Sequence, residues 1–164
     1  MEPKTYYVNV QDPNASDTND GLSPNWDSET GSGPLKTIGQ AMSVVEPGDV
    51  AYVRAGLYEE SNLRFNQSGE EGAPITLSAY PTDDGFEAVV IDGQGSADDV
   101  NGITVSDGQS FIILQGFEIR NMLDVGIATD GSTQHRGIVI KDVVVQGNRI
   151  GIALTSTDAF ELES

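Results

Sequence analysis

Apolar positions along this chain come in short runs, and their spacing switches between two periods. Residues 5–10, TYYVNV, alternate and are rich in β-branched and aromatic side chains, which predicts a first strand. The pattern lapses through residues 12–34, dominated by Asp, Asn, Ser, Gly and Pro with no basic residue, which predicts a long acidic loop. Leu35, Ile38, Met42 and Val45 then recur at helical spacing before Pro47 and Gly48, so residues 35–46 read as a helix. The runs VAYVRAG (50–56), ITLSAY (75–80) and AVVIDG (88–93) are bounded by Gly, Pro or Asp and read as strands, and strands dominate from there on.

Repetition decides the fold class. NGITVSDGQSFIILQGFEIRN (101–121) is echoed by VGIATDGSTQHRGIVIKDVVVQGN (125–148), and IGIALTSTD (150–158) begins a third copy. Gly102, Gly126 and Gly151 are spaced by 24 and 25 residues, whereas Ile112 to Ile138 and Ile119 to Val145 are each spaced by 26. The mismatch is absorbed where GQS becomes GSTQHRG, as expected if insertions enter loops and spare strands. A period near 25 suits one coil of three short strands, each pairing with its counterpart about 4.8 Å away in the next coil. The expectation is a right-handed parallel β-helix of about five coils, with Ile103 below Ile127 and Ile152, Ile112 below Ile138, and Ile119 below Val145. Asn121 and Asn148 are expected to stack at a turn, their amides bonding along the ladder. A leucine-rich repeat has a similar period but needs Leu at fixed spacing, where these copies carry Ile and Val.

The reading is thus one domain over residues 1–164: first strand and acidic loop at 5–34, helix at 35–46, coils from 50 onward. An open first coil is a liability that a helix or loop covers, and residues 35–46 suit that cap. No comparable cap follows residue 150, so the far end is expected to be open, either continuing as a longer β-helix or associating end to end.

Composition narrows the chemistry. The chain has 26 acidic and eight basic residues, a formal charge of −18, so its mean potential repels polyanions over roughly 8 Å at physiological salt and nucleic acid is not expected as a partner. An anionic polysaccharide would need a local basic patch or a bridging divalent cation. The absence of Cys excludes disulfides, thiolate zinc sites and cysteine nucleophiles. No run approaches the roughly 20 apolar residues of a membrane span, so membrane insertion is not expected. No signal peptide precedes Tyr6; in an extracellular setting Met1 would stand in place of a removed leader.

YYVNVQDPNASDTNDGLSP followed by PLKTIGQAMSVVEPGDVAYVRAGLYEE resembles the N-terminal capping region of secreted, pectate-lyase-like β-helix proteins. The motifs that carry it are the D-x-N-D-G style loop, P-x-K-T-I-x-x-A starting at Pro34, P-G-D at 47–49 and R-x-G-x-Y at 54–58. The resemblance implies the fold, an extracellular setting and a carbohydrate-directed role. The scaffold also carries epimerases, hydrolases, adhesins and phage fibres, so function has to be argued from the site. In the lyase branch, the resemblance implies calcium held by several Asp carboxylates beside a uronate while Lys or Arg abstracts the neighbouring proton.

Arg120, Arg136, Lys141 and Arg149 are four of the eight basic residues and lie in the last 45 positions with the sole His, His135. His135 and Arg136 fall in the inserted segment, where a groove-lining residue is expected, and Lys141 falls opposite Gln115. These three are the candidate catalytic residues; the competing reading is of solvated charges on an acidic surface. In the complete repeats Asp124, Asp130 and Asp142 are scattered rather than clustered. The oxygen-rich cluster is DPNASDTNDG, where Asp12, Asn14, Asp17, Asn19 and Asp20 alternate much as in a calcium loop, although Gly21 is misplaced for an EF-hand and no glutamate follows. Asp12, Asn14, Asp17 and Asp20 are the candidate Ca²⁺ ligands, against an ordinary Asx-turn loop. Asp83 with Asp84 and Asp98 with Asp99 are adjacent pairs that point apart in extended chain, which does not suit glycoside hydrolysis.

Two functions follow. One is a polysaccharide lyase or epimerase acting on acidic polysaccharide. The other is a non-catalytic structural or adhesion module binding calcium or a cell surface.

Overall fold

The computed structural model describes residues 2–94, 100–106, 108–155 and 157–163. Its first strand, β1 (Thr5–Val8), buries Tyr6 and Val8 and turns Thr5 and Tyr7 outward. The acidic loop leaves after it and returns at Leu35, which bridges in parallel to Val8: the Asn9 amide donates to the Leu35 carbonyl and the Leu35 amide to the Tyr7 carbonyl.

The helix α1 (Ile38–Val44) is therefore shorter than residues 35–46, because Leu35 is committed to the ladder. Thr37 is its N-cap, with Oγ1 accepting from the Gln40 amide, and Val45 ends it in extended conformation at ψ 141°. The Asp49 carboxylate accepts the Glu46 amide at 2.9 Å and the Lys4 amide at 2.7 Å, locking the turn after the helix. Leu35, Ile38, Met42 and Val45 are all buried, as their spacing predicts.

Four three-strand coils follow. They are β2 (Val50–Val53), β3 (Gly56–Tyr58) and β4 (Leu63–Arg64) in the first, then β5 (Ile75–Ala79) with an inserted hairpin of β6 (Pro81–Thr82) and β7 (Gly85–Phe86). The second coil is completed by β8 (Val89–Asp92) and β9 (Ile103–Val105). The third holds β10 (Ile112–Gln115), β11 (Phe117–Arg120) and β12 (Val125–Thr129), and the fourth β13 (His135–Lys141), β14 (Val144–Gln146) and β15 (Ile150–Ala153). A last strand, β16 (Thr157–Glu163), starts another turn, so the architecture meets the expectation of about five coils.

The strands form a six-stranded sheet in the order β1-β2-β5-β10-β13-β16 and two four-stranded sheets, β14-β11-β8-β3 and β15-β12-β9-β4. Every pairing described in these three sheets is parallel; the β6–β7 hairpin and the isolated Glu70–Ala73 bridge are antiparallel. Short apolar strands with few large side chains stack this way because each inward residue then covers its equivalent in the next coil. The ladders are as the repeats predict: Ile103 with Ile127 and Ile152, Ile112 with Ile138, Ile119 with Val145. Helix α1 closes the core beside β1, β2 and β4.

The turn asparagines bond differently from the expected amide ladder. Arg120 pairs with Gln146, so Asn121 lies over Gly147, and both are left-handed at φ 56° and 65°. Asn148 is one position further on; its Oδ1 accepts the Met122 amide and its Nδ2 donates to the Ile119 carbonyl. At the far end β14, β15 and β16 are the outermost described strands of their sheets, and Val144, Ile150 and Leu162 are exposed there.

Candidate functional site

The acidic loop is held together by its own carboxylates. Asp12 accepts the Asn14 and Trp26 amides, one on each oxygen. Asp17 accepts the Lys36 and Thr37 amides and the Thr37 hydroxyl. Asp20 accepts the Leu22 and Gly33 amides and the Ser32 hydroxyl. Asn19 donates to the Asn14 and Pro34 carbonyls. Burial raises the Asp20 pKa, but the hydrogen bonds from Leu22, Ser32 and Gly33 outweigh it and leave the group below its ordinary value. Each carboxylate is aimed at a different stretch of backbone, and among the described residues no group of three or more His, Asp or Glu is placed to hold a metal. The carboxylates of Asp12, Asp17 and Asp20 thus serve as hydrogen-bond acceptors that fasten the loop and the cap in Asx-turn fashion.

The catalytic candidates separate. His135 is not in a loop: the insertion is shorter than its sequence suggests, and His135 opens β13 with no solvent exposure. Its Nδ1 lies 2.8 Å from the Gln109 carbonyl and its Nε2 3.0 Å from the Asp130 carbonyl, so neither ring nitrogen faces a groove. Arg136 is exposed on the same strand, its amide donating to Ser110 Oγ. Lys141 lies at the other end of β13, on the outward side of the alternation that buries Ile138 and Ile140. The carboxylate pair Asp83 and Asp84 is exposed in the β6–β7 turn, and Asp98 with Asp99 lies outside the described residues.

Lys141 ends a row of register partners across the six-stranded sheet, whose middle member, Ser78, is itself buried. Tyr7 pairs with Tyr52, Tyr52 with Ser78, Ser78 with Gln115 and Gln115 with Lys141. Strands in a β-helix lie across the rod, so this row runs along its axis, about 19 Å over four spacings of ~4.8 Å. Gln115 Nε2 donates to Ser78 Oγ at 2.9 Å. Tyr80, just past β5, completes a triangle of rings with centroids 6.2 Å (Tyr7 to Tyr52), 6.4 Å (Tyr7 to Tyr80) and 5.6 Å (Tyr52 to Tyr80) apart. The three rings are half-buried.

Arg54 lies over Tyr80 at 4.7 Å from the ring centroid and joins this cluster to a cleft of about 340 Å³ lined by Asn9, Gln11, Asp12, Asn25, Arg54 and Glu87. Its guanidinium meets Glu87 as a fork, with Nε 3.1 and 3.0 Å from the two carboxylate oxygens and Nη2 3.0 Å from Oε1. Glu87 Oε2 also accepts the Ala55 amide at 2.7 Å. The Arg54 hydrogen bonds hold Glu87 below its ordinary pKa, and Glu87 raises that of Arg54. Beneath the cleft Tyr58 is buried; its hydroxyl accepts the Val10 amide and donates to the Arg54 carbonyl, and burial pushes its pKa up to about 12.

The tyrosine cluster and Glu87 lie outside the candidates that the sequence singled out. Tyr7 and Tyr52 occupy the same third position of TYYV and VAYV, a signal that becomes readable once the two strands are aligned. Glu87 is one coil away from its partner and leaves no local signature.

Compared by sequence, the chain matches no family profile and no curated protein. Compared by structure, it is similar to the pectate lyase Pel9A, with a TM-score of 0.64 and 22% identity over 91% of this chain and 35% of that one. It is also similar to a GH136 lacto-N-biosidase from Eubacterium ramulus, with a TM-score of 0.63 and 18% identity over 98% of this chain and 34% of that one. The chain thus spans about a third of the length of either protein. Together with the uniformly parallel ladders and the helical cap, these likenesses identify the fold as a pectate-lyase-like right-handed parallel β-helix.

Proposed function

We propose that this chain is the N-terminal part of a secreted, carbohydrate-directed β-helix protein and that the outer face of the six-stranded sheet binds an extended polysaccharide. The observation that carries the reading is the axial row from Tyr7 and Tyr52 to Gln115 and Lys141, beside Tyr80, Arg54 and the cleft. Aromatic faces cover the apolar faces of pyranose rings, and amides and carboxylates meet their hydroxyls, so a row along the rod matches a chain of sugars. The names of the two structural neighbours, a pectate lyase and a lacto-N-biosidase, support the same substrate class. No helix among the described residues is long and apolar enough to cross a membrane. Affinity electrophoresis against a panel of soluble polysaccharides tests the reading; Tyr52→Ala should abolish the retardation, and no retardation by any polysaccharide would reject it.

A lyase or epimerase reaction would draw on Lys141, the outward cation on the same row, as the base toward a uronate, with Arg136 in reserve on that strand. Incubation with uronate polysaccharides, with and without Ca²⁺, followed by ultraviolet absorbance of the unsaturated product, tests the lyase. The non-catalytic reading is favoured by the scatter of His135, Arg136 and Lys141 along β13, since no two of them converge on one point of the face.

A further inference from the structure

Resting on the carbohydrate reading above, we infer that the cleft beside Tyr80 selects a neutral saccharide rather than a uronate. The cleft holds one guanidinium against two carboxylates, Glu87 and Asp12. The charge of Arg54 is already paired: Nε and Nη2 both donate to Glu87, and the flat face of the guanidinium rests on Tyr80. A uronate carboxylate entering here would meet the excess negative charge and find no unpaired cation, in a chain whose formal charge is −18. Lys141, at the opposite end of the axial row, is roughly 10 Å from Ser78 by two strand spacings and does not reach the cleft.

The same lining suits hydroxyl groups. The Glu87 and Asp12 oxygens already accept from backbone or guanidinium and keep lone pairs for sugar O–H donors, and such charge-assisted bonds are strong. Asn9 uses its Oδ1 on the Gln11 amide, which leaves its NH₂ to donate to a sugar oxygen. Gln11 and Asn25 add amides that serve as donor and acceptor alike. At about 340 Å³ the cleft is near the lower end of the ~300–1,000 Å³ usual for small-molecule sites, room for a short saccharide whose apolar face continues onto the tyrosine rings.

The test is affinity electrophoresis and titration calorimetry with soluble xylan, mannan and galactan against polygalacturonate and alginate, at low and physiological salt. Wild type should bind a neutral polymer at least tenfold more tightly than either acidic one. Glu87→Gln keeps the shape, frees Arg54 and should weaken neutral binding about tenfold while strengthening retention by polygalacturonate; circular dichroism and the melting curve check that it folds. Asn25→Ala, on the cleft rim and outside the strands, should weaken neutral binding without altering the melting curve. Tighter binding of an acidic polymer by wild type would overturn the inference while leaving the carbohydrate reading standing. No binding of any polymer would overturn both.

Discussion

The guanidinium of Arg54 lies 4.7 Å above the ring of Tyr80 while gripping Glu87, so one side chain joins the tyrosine cluster to the cleft across two coils. Lysine carries the same charge without the planar fork or the flat face. Arg54→Lys should therefore lower stability by about 1 kcal/mol, from loss of stacking and of the bidentate pair, and weaken polysaccharide retention. Urea denaturation reads the first effect; equal midpoints for the two proteins would show that the pairing is incidental.

Glu87 and Glu60 should respond to acid in opposite directions. The Arg54 hydrogen bonds hold Glu87 below the ordinary 4.5, so its contribution is present above that pH and is lost as pH falls through its folded-state value. Glu60 caps the helix, its two oxygens accepting the Ile38 and Gly39 amides at 2.9 Å, but burial outweighs those bonds and raises its pKa above 4.5. Its contribution is full below 4.5 and declines as pH rises through the raised value. Glu87→Gln should flatten the acid limb of a melting-temperature profile, and Glu60→Gln should flatten the decline above it. Parallel profiles for both variants would contradict the assignment.

Gly126 should tolerate no side chain, whereas Gly151 should. A Cβ on Gly126 would sit 2.7 Å from the Gly151 carbonyl oxygen, and one on Gly102 2.5 Å from that of Gly126, both rigid backbone. At Gly151 the nearest atom is a Val145 side-chain methyl at 3.3 Å. Gly126→Ala should cost about 1–3 kcal/mol through forced separation of the coils, and Gly151→Ala well under that. Denaturant midpoints of the pair make the comparison.

The loop carboxylates should act as caps with or without calcium. Asp17→Asn removes charge from the acceptor of three bonds at the start of the helix and should cost about 1–2 kcal/mol. The loss should be the same in EDTA and in millimolar Ca²⁺, and calorimetry should show no calcium titrating the loop. A chelator-dependent melting temperature abolished by Asp17→Asn would instead assign the loop to calcium.

The motifs behind the sequence resemblance acquire a physical role from these contacts. Asp49 of P-G-D ties Lys4 to Glu46, Thr37 caps the helix under the hold of Asp17, and Tyr58 of R-x-G-x-Y bridges Val10 to Arg54. They build the cap, which is why they announce a fold and leave the chemistry open.

The spacing of Ile112 to Ile138 and of Gly102 to Gly126 was enough, from sequence, to determine the coil period, the inward ladders and the parallel pairing. A repeat states its own register, because an inward residue has no better cover than its equivalent one coil on. Three things were decided only in three dimensions. The helix lost residues 35–37 because Leu35 found a strand partner in Val8, a contact across the acidic loop. His135 went inside because the carbonyls of Gln109 and Asp130 converge on it from different coils. The tyrosine face and its cleft assemble Tyr7, Tyr52, Tyr80 and Glu87 from four separate segments, and a charge or ring facing outward carries no periodicity that says which neighbour will lie beside it.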